Sequence, residues 1–232
     1  MGISFSPSFF LYELTVALSY IPVVALLSIL PLLWGMLLGT GLALARIYRV
    51  PWLRNMAQAY VVIFRSVPML LQMFLFYYAV RGVYEALHWD LSQISKMAVV
   101  LIAFTFNSAG FLSEGIRTAL LSVEAGQYEA SYSIGMTRIQ SIRHVVLPQS
   151  LPVAIPILGS AFIGIIKGSS AAYLMGIIEM IQGTSMKTAG NYRYLEAYCA
   201  VAVIYWLLTL LVEQLTRQAE KQVRSHLKGG VT

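Results

Sequence analysis

Hydrophobic positions along this chain gather into long runs, near residues 16–45, 57–84, 96–118, 153–178 and 196–216, and do not alternate with polar ones at a short period. Each run reaches or exceeds the roughly 20 residues that a helix needs to cross the hydrocarbon core of a bilayer. The pattern therefore predicts an all-α, polytopic membrane protein with about five transmembrane helices. Between the runs nothing reads as a linker, a low-complexity tract or a second domain, so residues 1–232 are expected to form a single membrane domain.

Composition sharpens this picture. Residues are 58% hydrophobic and 11% charged, less than half of the roughly 25% charged residues that keep a soluble domain in water. Lys and Arg between the runs set the orientation. With the N-terminus outside, ten fall inside (Arg46, Arg49, Arg54, Arg117, Arg138, Arg143, Arg217, Lys221, Arg224 and Lys228) and four outside (Arg81, Lys96, Lys187 and Arg193). This bias predicts a cytoplasmic C-terminus and a cytoplasmic loop over 119–152, between the third and fourth spans. The net charge of +6 is then a topological signal, and no nucleic-acid partner is needed to explain it. The lone Cys199, inside the fifth run, excludes a disulfide framework. The uncharged start of the chain lacks a basic n-region, and no small-residue cleavage site follows the first run at signal-peptide length. Residues 1–8 are expected to stay on the mature chain.

Two rows of small residues at four-residue spacing, Gly35, Gly39 and Ala43 in the first run and Ser160, Gly164, Gly168, Ala172 and Gly176 in the fourth, predict close helix packing. Pro22, Pro31 and Pro68 fall inside spans and free backbone carbonyls that need other partners. Counting inward at about 1.5 Å per residue, Arg65, Asn107 and Lys167 come out near mid-depth. Asn107 and Glu114 share a helix face, with Ser108 and Gly110 near them, and the fourth run adds Ser169 and Ser170 beside Lys167. A charge at the centre of a span costs roughly 2.5 to 3.5 kcal/mol, so these residues either snorkel, pair structurally or face water. If they face water they describe a polar route whose cationic centre suits a substrate carboxylate, with Glu114 the acid available to Lys167.

The loop has its own pattern. From Glu124 to Ile134 no helix breaker follows Gly126, Tyr128 and Tyr132 sit one turn apart on one face, and Gly135 stands where a left-handed cap is needed. A second helix is expected to start at Thr137, with Gln140 as its capping-box partner. Its Ile139, Ile142 and Val146 would share an apolar face resting in the membrane interface, and Pro148 would stop it. Periodicity alone leaves open a plain interfacial loop.

Residue detail goes further. "GQYEASYSIGM" followed by "VVLPQSLP" resembles the cytoplasmic EAA loop of bacterial ATP-binding-cassette importer permeases, through Glu129, Ala130, Gly135, Leu147 and Pro148. The segments "FRSVPMLLQMFLFYY" (64–78), "NSAGFLSEGIRTALLSVEAGQYEA" (107–130) and "LGSAFIGIIKGSSAAYLMGIIEM" (158–180) resemble the polar amino acid uptake subgroup, the histidine, glutamine, arginine and cystine permeases, in one order and spacing. The resemblance implies a non-catalytic transmembrane subunit in the bacterial cytoplasmic membrane. Its partners would be an ATP-binding-cassette ATPase dimer, a second permease subunit (the same chain or a relative), an extracytoplasmic substrate-binding protein and a small amino-acid substrate; no cofactor is implied. It assigns ATPase coupling to the first loop helix, with Glu124, Gly126, Tyr128, Glu129, Ala130 and Gly135. One departure stands out: where the subgroup usually reads Lys-Asp-Thr-Ser, this chain has Lys167, Gly168, Ser169, Ser170.

Other classes find less support. The three histidines, His88, His144 and His226, are scattered over the chain, and no His/Cys/Glu spacing suits a metal or a catalytic cluster. "GTSMKTAG" at 183–190 lacks the second glycine and the spacing of a phosphate-binding loop. A secondary transporter or channel for small polar solutes remains the alternative, because a polar midplane alone would fit it too.

Overall fold

The computed structural model describes residues 5–229, so part of the expectation for residues 1–8 lies outside the described residues. Every regular element among them is helical. In chain order the α-helices are α1 (Pro7–Leu18), α2 (Ile21–Ile47), α3 (Leu53–Ser66), α4 (Met69–Ala86), α5 (Lys96–Leu121), α6 (Ala125–Ser133), α7 (Arg138–Ser141), α8 (Leu147–Ser169), α9 (Met180–Thr188) and α10 (Tyr194–Gly229). Four spans are long and apolar enough to cross a membrane, and the bent pair α3 and α4 makes a fifth when the two count as one span. This agrees with the predicted fold class.

The centre of the bundle is α5, packed against α2, α3, α4 and α8. Small residues make the α2 contact possible. A Cβ on Gly35 would lie 2.9 Å from Ser108 Cβ, and one on Gly39 would lie 3.0 Å from both the Ala109 carbonyl oxygen and the Ser113 nitrogen. This row packs as predicted, with backbones in contact where lipid supplies no hydrophobic drive. One core cluster, Leu27, Met73, Val100, Ala103, Phe104 and Met175 among others, joins α2, α4 and α5 to the end of the fourth span. A second, with Ala17, Val24, Ile166, Met180, Val201 and Ile204, fastens α1, α9 and α10 to α2 and α8.

Several boundaries differ from the sequence reading. The first run does not start a single helix at 16; α1 ends at Leu18 and α2 begins afresh at Ile21, with Pro22 in its first turn. The second run is not straight: the chain bends by 114° between α3 and α4. Pro68 forces the extended Val67 between them, since a residue before proline is pushed out of the helical region. The carbonyls freed there are satisfied by buried Gln72, whose Nε2 donates to the Phe64 oxygen at 2.9 Å and the Val67 oxygen at 2.7 Å. Asn107 Nδ2 also donates to the Phe64 oxygen, at 3.2 Å.

The fourth run corrects one expectation. Pro148 does not stop the second loop helix; residues Arg138–Met175 run on as one 38-residue span. A π-helical segment, Ile142–Val146, precedes the proline, and the Leu147 N–H donates to the Ile142 oxygen five residues back. That shift of the ladder lets the helix absorb a residue that has no N–H to give. At the other end α8 tightens into a 3₁₀ segment, Ser170–Met175, closed by left-handed Gly176.

Candidate functional site

Two places carry the polar groups singled out from the sequence, one at the loop and one inside the bundle.

At the loop, α6 follows Glu124 and ends on Gly135, whose φ of +81° places it in the left-handed region. The Gly135 N–H donates to the Tyr132 oxygen at 2.9 Å and the Met136 N–H to the Ser131 oxygen at 3.1 Å, the paired bonds of a Schellman ending. Thr137 and Gln140 close the predicted capping box on α7. The hydroxyls of Ser131 and Ser141 share a buried hydrogen bond of 2.6 Å that clasps α6 to α7. Gln149 Nε2 donates to Gln127 Oε1 at 3.0 Å, and the Arg138 guanidinium lies 4.0 Å from the centre of the Tyr48 ring, tying the loop to α8 and α2.

The predicted apolar face is divided, with Ile139 exposed and Val146 turned inward. Val146 is buried, and with Ile142, Tyr128 and Tyr48 it lines an apolar cavity of about 320 Å³ below α6. Burial there, with the neighbouring Tyr48, raises the Tyr128 hydroxyl above its usual pKa. Glu124, Gly126, Glu129, Ala130 and Gly135 are exposed, and Tyr128 is half-buried. Two apolar side chains stand exposed beside them, Ile134 at 74% and Ile139 at 78%.

Inside the bundle, a cavity of about 530 Å³ opens between α5 and α8, at the end of α3. Four of the predicted path residues line it: Arg65, Asn107, Ser108 and Glu114. Lys167, Ser169 and Ser170 do not. Ser169 is fully buried and donates to the Ile166 oxygen at 2.7 Å, and Ser170 donates to the Lys167 oxygen at 2.8 Å, both spent on their own helix. Lys167 is exposed, and Glu114 is not its partner. Glu114 instead accepts from Arg46 Nη1 at 2.7 Å and Arg117 Nη1 at 3.4 Å. The small residues of α8 are also placed differently from expectation. Gly164 and Gly168 line this cavity rather than a helix contact, and a Cβ on Gly164 would meet nothing within 4 Å.

Sequence reasoning missed the Arg46–Glu114 pair, having assigned Arg46 to topology alone. The available signal was depth: both residues lie in the C-terminal third of their helices, Arg46 one residue and Glu114 seven residues from the end. It also missed Phe104 and Phe111, aromatic walls of the cavity that read as ordinary apolar positions in a membrane run.

This geometry has known counterparts. Residues 32–225 match the family described as binding-protein-dependent transport system inner membrane component. The chain is 36% identical over 191 residues to the probable amino-acid permease protein YxeN of Bacillus subtilis, covering 82% of this chain and 84% of that one. It is 34% identical over 209 residues to the L-cystine transport system permease protein TcyL of the same organism, covering 90% and 87%. The crystal structure of an amino acid ABC transporter with histidines superimposes with a TM-score of 0.82 at 26% identity, covering 94% of this chain and 99% of that one. An all-helical, multi-pass chain with a capped helix between two spans is thus an ABC importer permease subunit by class. It belongs to the binding-protein-dependent transport system inner membrane component family.

Proposed function

We propose that this chain is the permease subunit of a bacterial importer that carries a polar amino acid across the cytoplasmic membrane, driven by ATP hydrolysis on a separate subunit. The amino-acid substrate is supported by what the relatives are said to carry: one is named for L-cystine and another, 30% identical, for glutamine. The observation that carries the coupling half of the proposal is α6. It is a short polar helix with a glycine-directed exit, clasped to the fourth span by Ser131, Ser141 and Gln149, and it presents Glu129, Ala130 and the exposed Ile134 outward. A surface helix fastened rigidly to a span can pass a push from a partner into the bundle, whereas a loose loop cannot. We assign α6 as the docking surface of the cassette ATPase, on Glu124, Gly126, Tyr128, Glu129, Ala130 and Gly135.

In this reading the cavity between α5 and α8 is the substrate path, with Arg65, Asn107, Ser108 and Glu114 on its walls and Lys167, Ser169 and Ser170 beyond its rim. The ten Lys and Arg on one side of the spans against four on the other support an outside N-terminus and a cytoplasmic α6. A second permease subunit and an extracytoplasmic binding protein complete the assembly. The test is uptake into vesicles holding this chain with its cassette ATPase and binding protein. ATP inside should drive accumulation that persists when ion gradients are collapsed. Uptake that needs a gradient and ignores ATP would instead support a secondary transporter.

A further inference from the structure

The charges around the cavity between α5 and α8 select among amino acids, an inference that rests on the importer reading above. Two side chains that carry charge line the cavity, Arg65 and Glu114. The acid is already paired, with Arg46 on one carboxylate oxygen at 2.7 Å and Arg117 on the other at 3.4 Å. Arg65 is different. Its guanidinium lies 5.5 Å from the centre of the Phe111 ring and has no ion-pair partner among the described residues. An adjoining polar chamber of about 440 Å³ is shared by Arg46, Arg65 and Glu114, so the excess of positive charge continues beyond the cavity. The facing wall on α8 is uncharged: Gly164 and Gly168 stand where a side chain could have supplied a carboxylate, and neither has a close neighbour to exclude one. Lys167, which does not line the cavity, is a further exposed cation on the same helix, with no ion pair among the described residues.

We infer that this cavity takes amino acids with neutral or acidic side chains and rejects those with cationic ones, with Arg65 holding the substrate carboxylate. An arginine or lysine side chain entering it would be repelled by Arg65 and would find the one lining acid already paired with two arginines. A neutral or acidic amino acid presents its carboxylate to a guanidinium suited to that group and brings no second cation.

The test uses the purified complex of this chain with its cassette ATPase, without the binding protein, so that the latter's own selectivity plays no part. Binding of radiolabelled glutamine, glutamate, arginine and lysine is measured at equilibrium. Glutamine or glutamate should bind at least tenfold more tightly than arginine or lysine. Arg65→Gln should weaken glutamine and glutamate at least tenfold. Gly164→Asp should narrow the gap by strengthening arginine. If that variant fails to assemble, Gly168→Asp replaces it, since its added Cβ would touch only Phe104, at 3.9 Å. Equal affinity for arginine and glutamine in the unaltered protein, or no detectable binding of any of the four, would overturn the inference. Uptake in vesicles made from the same complex with the binding protein judges the importer reading separately: ATP-driven uptake of any amino acid sustains it, whatever the binding panel shows.

Discussion

Gly135 and Glu114 are the two residues whose chemistry can be isolated most cleanly. An added Cβ at Gly135 would meet nothing within 4 Å, so replacing it perturbs only the left-handed backbone. Gly135→Val forces a β-branched residue there, at about 1 to 3 kcal/mol of local strain. The chain should still insert and purify, but α6 should leave its α7 clasp. Hydrolysis stimulated by substrate and binding protein should fall at least several-fold, measured as phosphate release. Unchanged stimulation would mean that the turn is not part of the coupling path. At Glu114 the expected loss is one of stability. Glu114→Gln removes the charge shared by Arg46 and Arg117 and leaves Arg46, whose side chain is 9% exposed, without its counter-ion. Losing a hydrogen bond to a charged group of this kind costs about 1.5 to 3 kcal/mol. Thermal unfolding of the purified complex should show the drop, and Arg117→Gln, which removes the longer and more exposed contact, should show a smaller one.

Among the elements, the corner between α3 and α4 and the seam between α2 and α5 make opposite demands. The corner needs a donor, because three carbonyl-directed bonds from Gln72 and Asn107 replace the ladder that Pro68 interrupts. Gln72→Leu keeps the bulk and strands the Val67 oxygen, while the Phe64 oxygen keeps its bond from Asn107; the stranded group should cost about 1 to 3 kcal/mol. The seam needs an absence. Gly39→Ala would press a methyl onto the α5 backbone and should lower stability by about 1 to 3 kcal/mol, whereas Gly41→Ala, facing open space, should be neutral or gain up to about 1 kcal/mol from helix propensity. A complex in which both glycines tolerate alanine equally would contradict the seam. These elements also show how far the sequence could be read. Apolar runs found the spans, and local rules found the Gly135 ending and the Thr137–Gln140 capping box, because those bonds lie within a few residues of one another. The 114° corner, the passage of the helix through Pro148 and the cavity behind Gly164 were not legible. Each depends on what a distant segment places opposite, and four-residue spacing of small residues looks the same whether it faces a helix or a void.

For the whole molecule, the account requires α6 to lie in the cytoplasm at the foot of a five-span bundle. Reporter fusions after Asn55, Trp89, Ser141, Asn191 and the C-terminus should alternate in, out, in, out, in, and two misplaced reporters would undo the orientation. The most direct test of the central claim is cross-linking from single cysteines, in a chain whose own Cys199 is replaced by serine. Position 129 lies on α6, just past one end of α5, while position 89 lies just before its other end. The two are separated by a 26-residue helix, about 39 Å long. With the cassette ATPase present, Glu129→Cys should give a cross-linked adduct whose yield changes when ATP is added, and Trp89→Cys should give none. An adduct of equal yield at both positions, or none at position 129 in a complex that transports, would contradict the account.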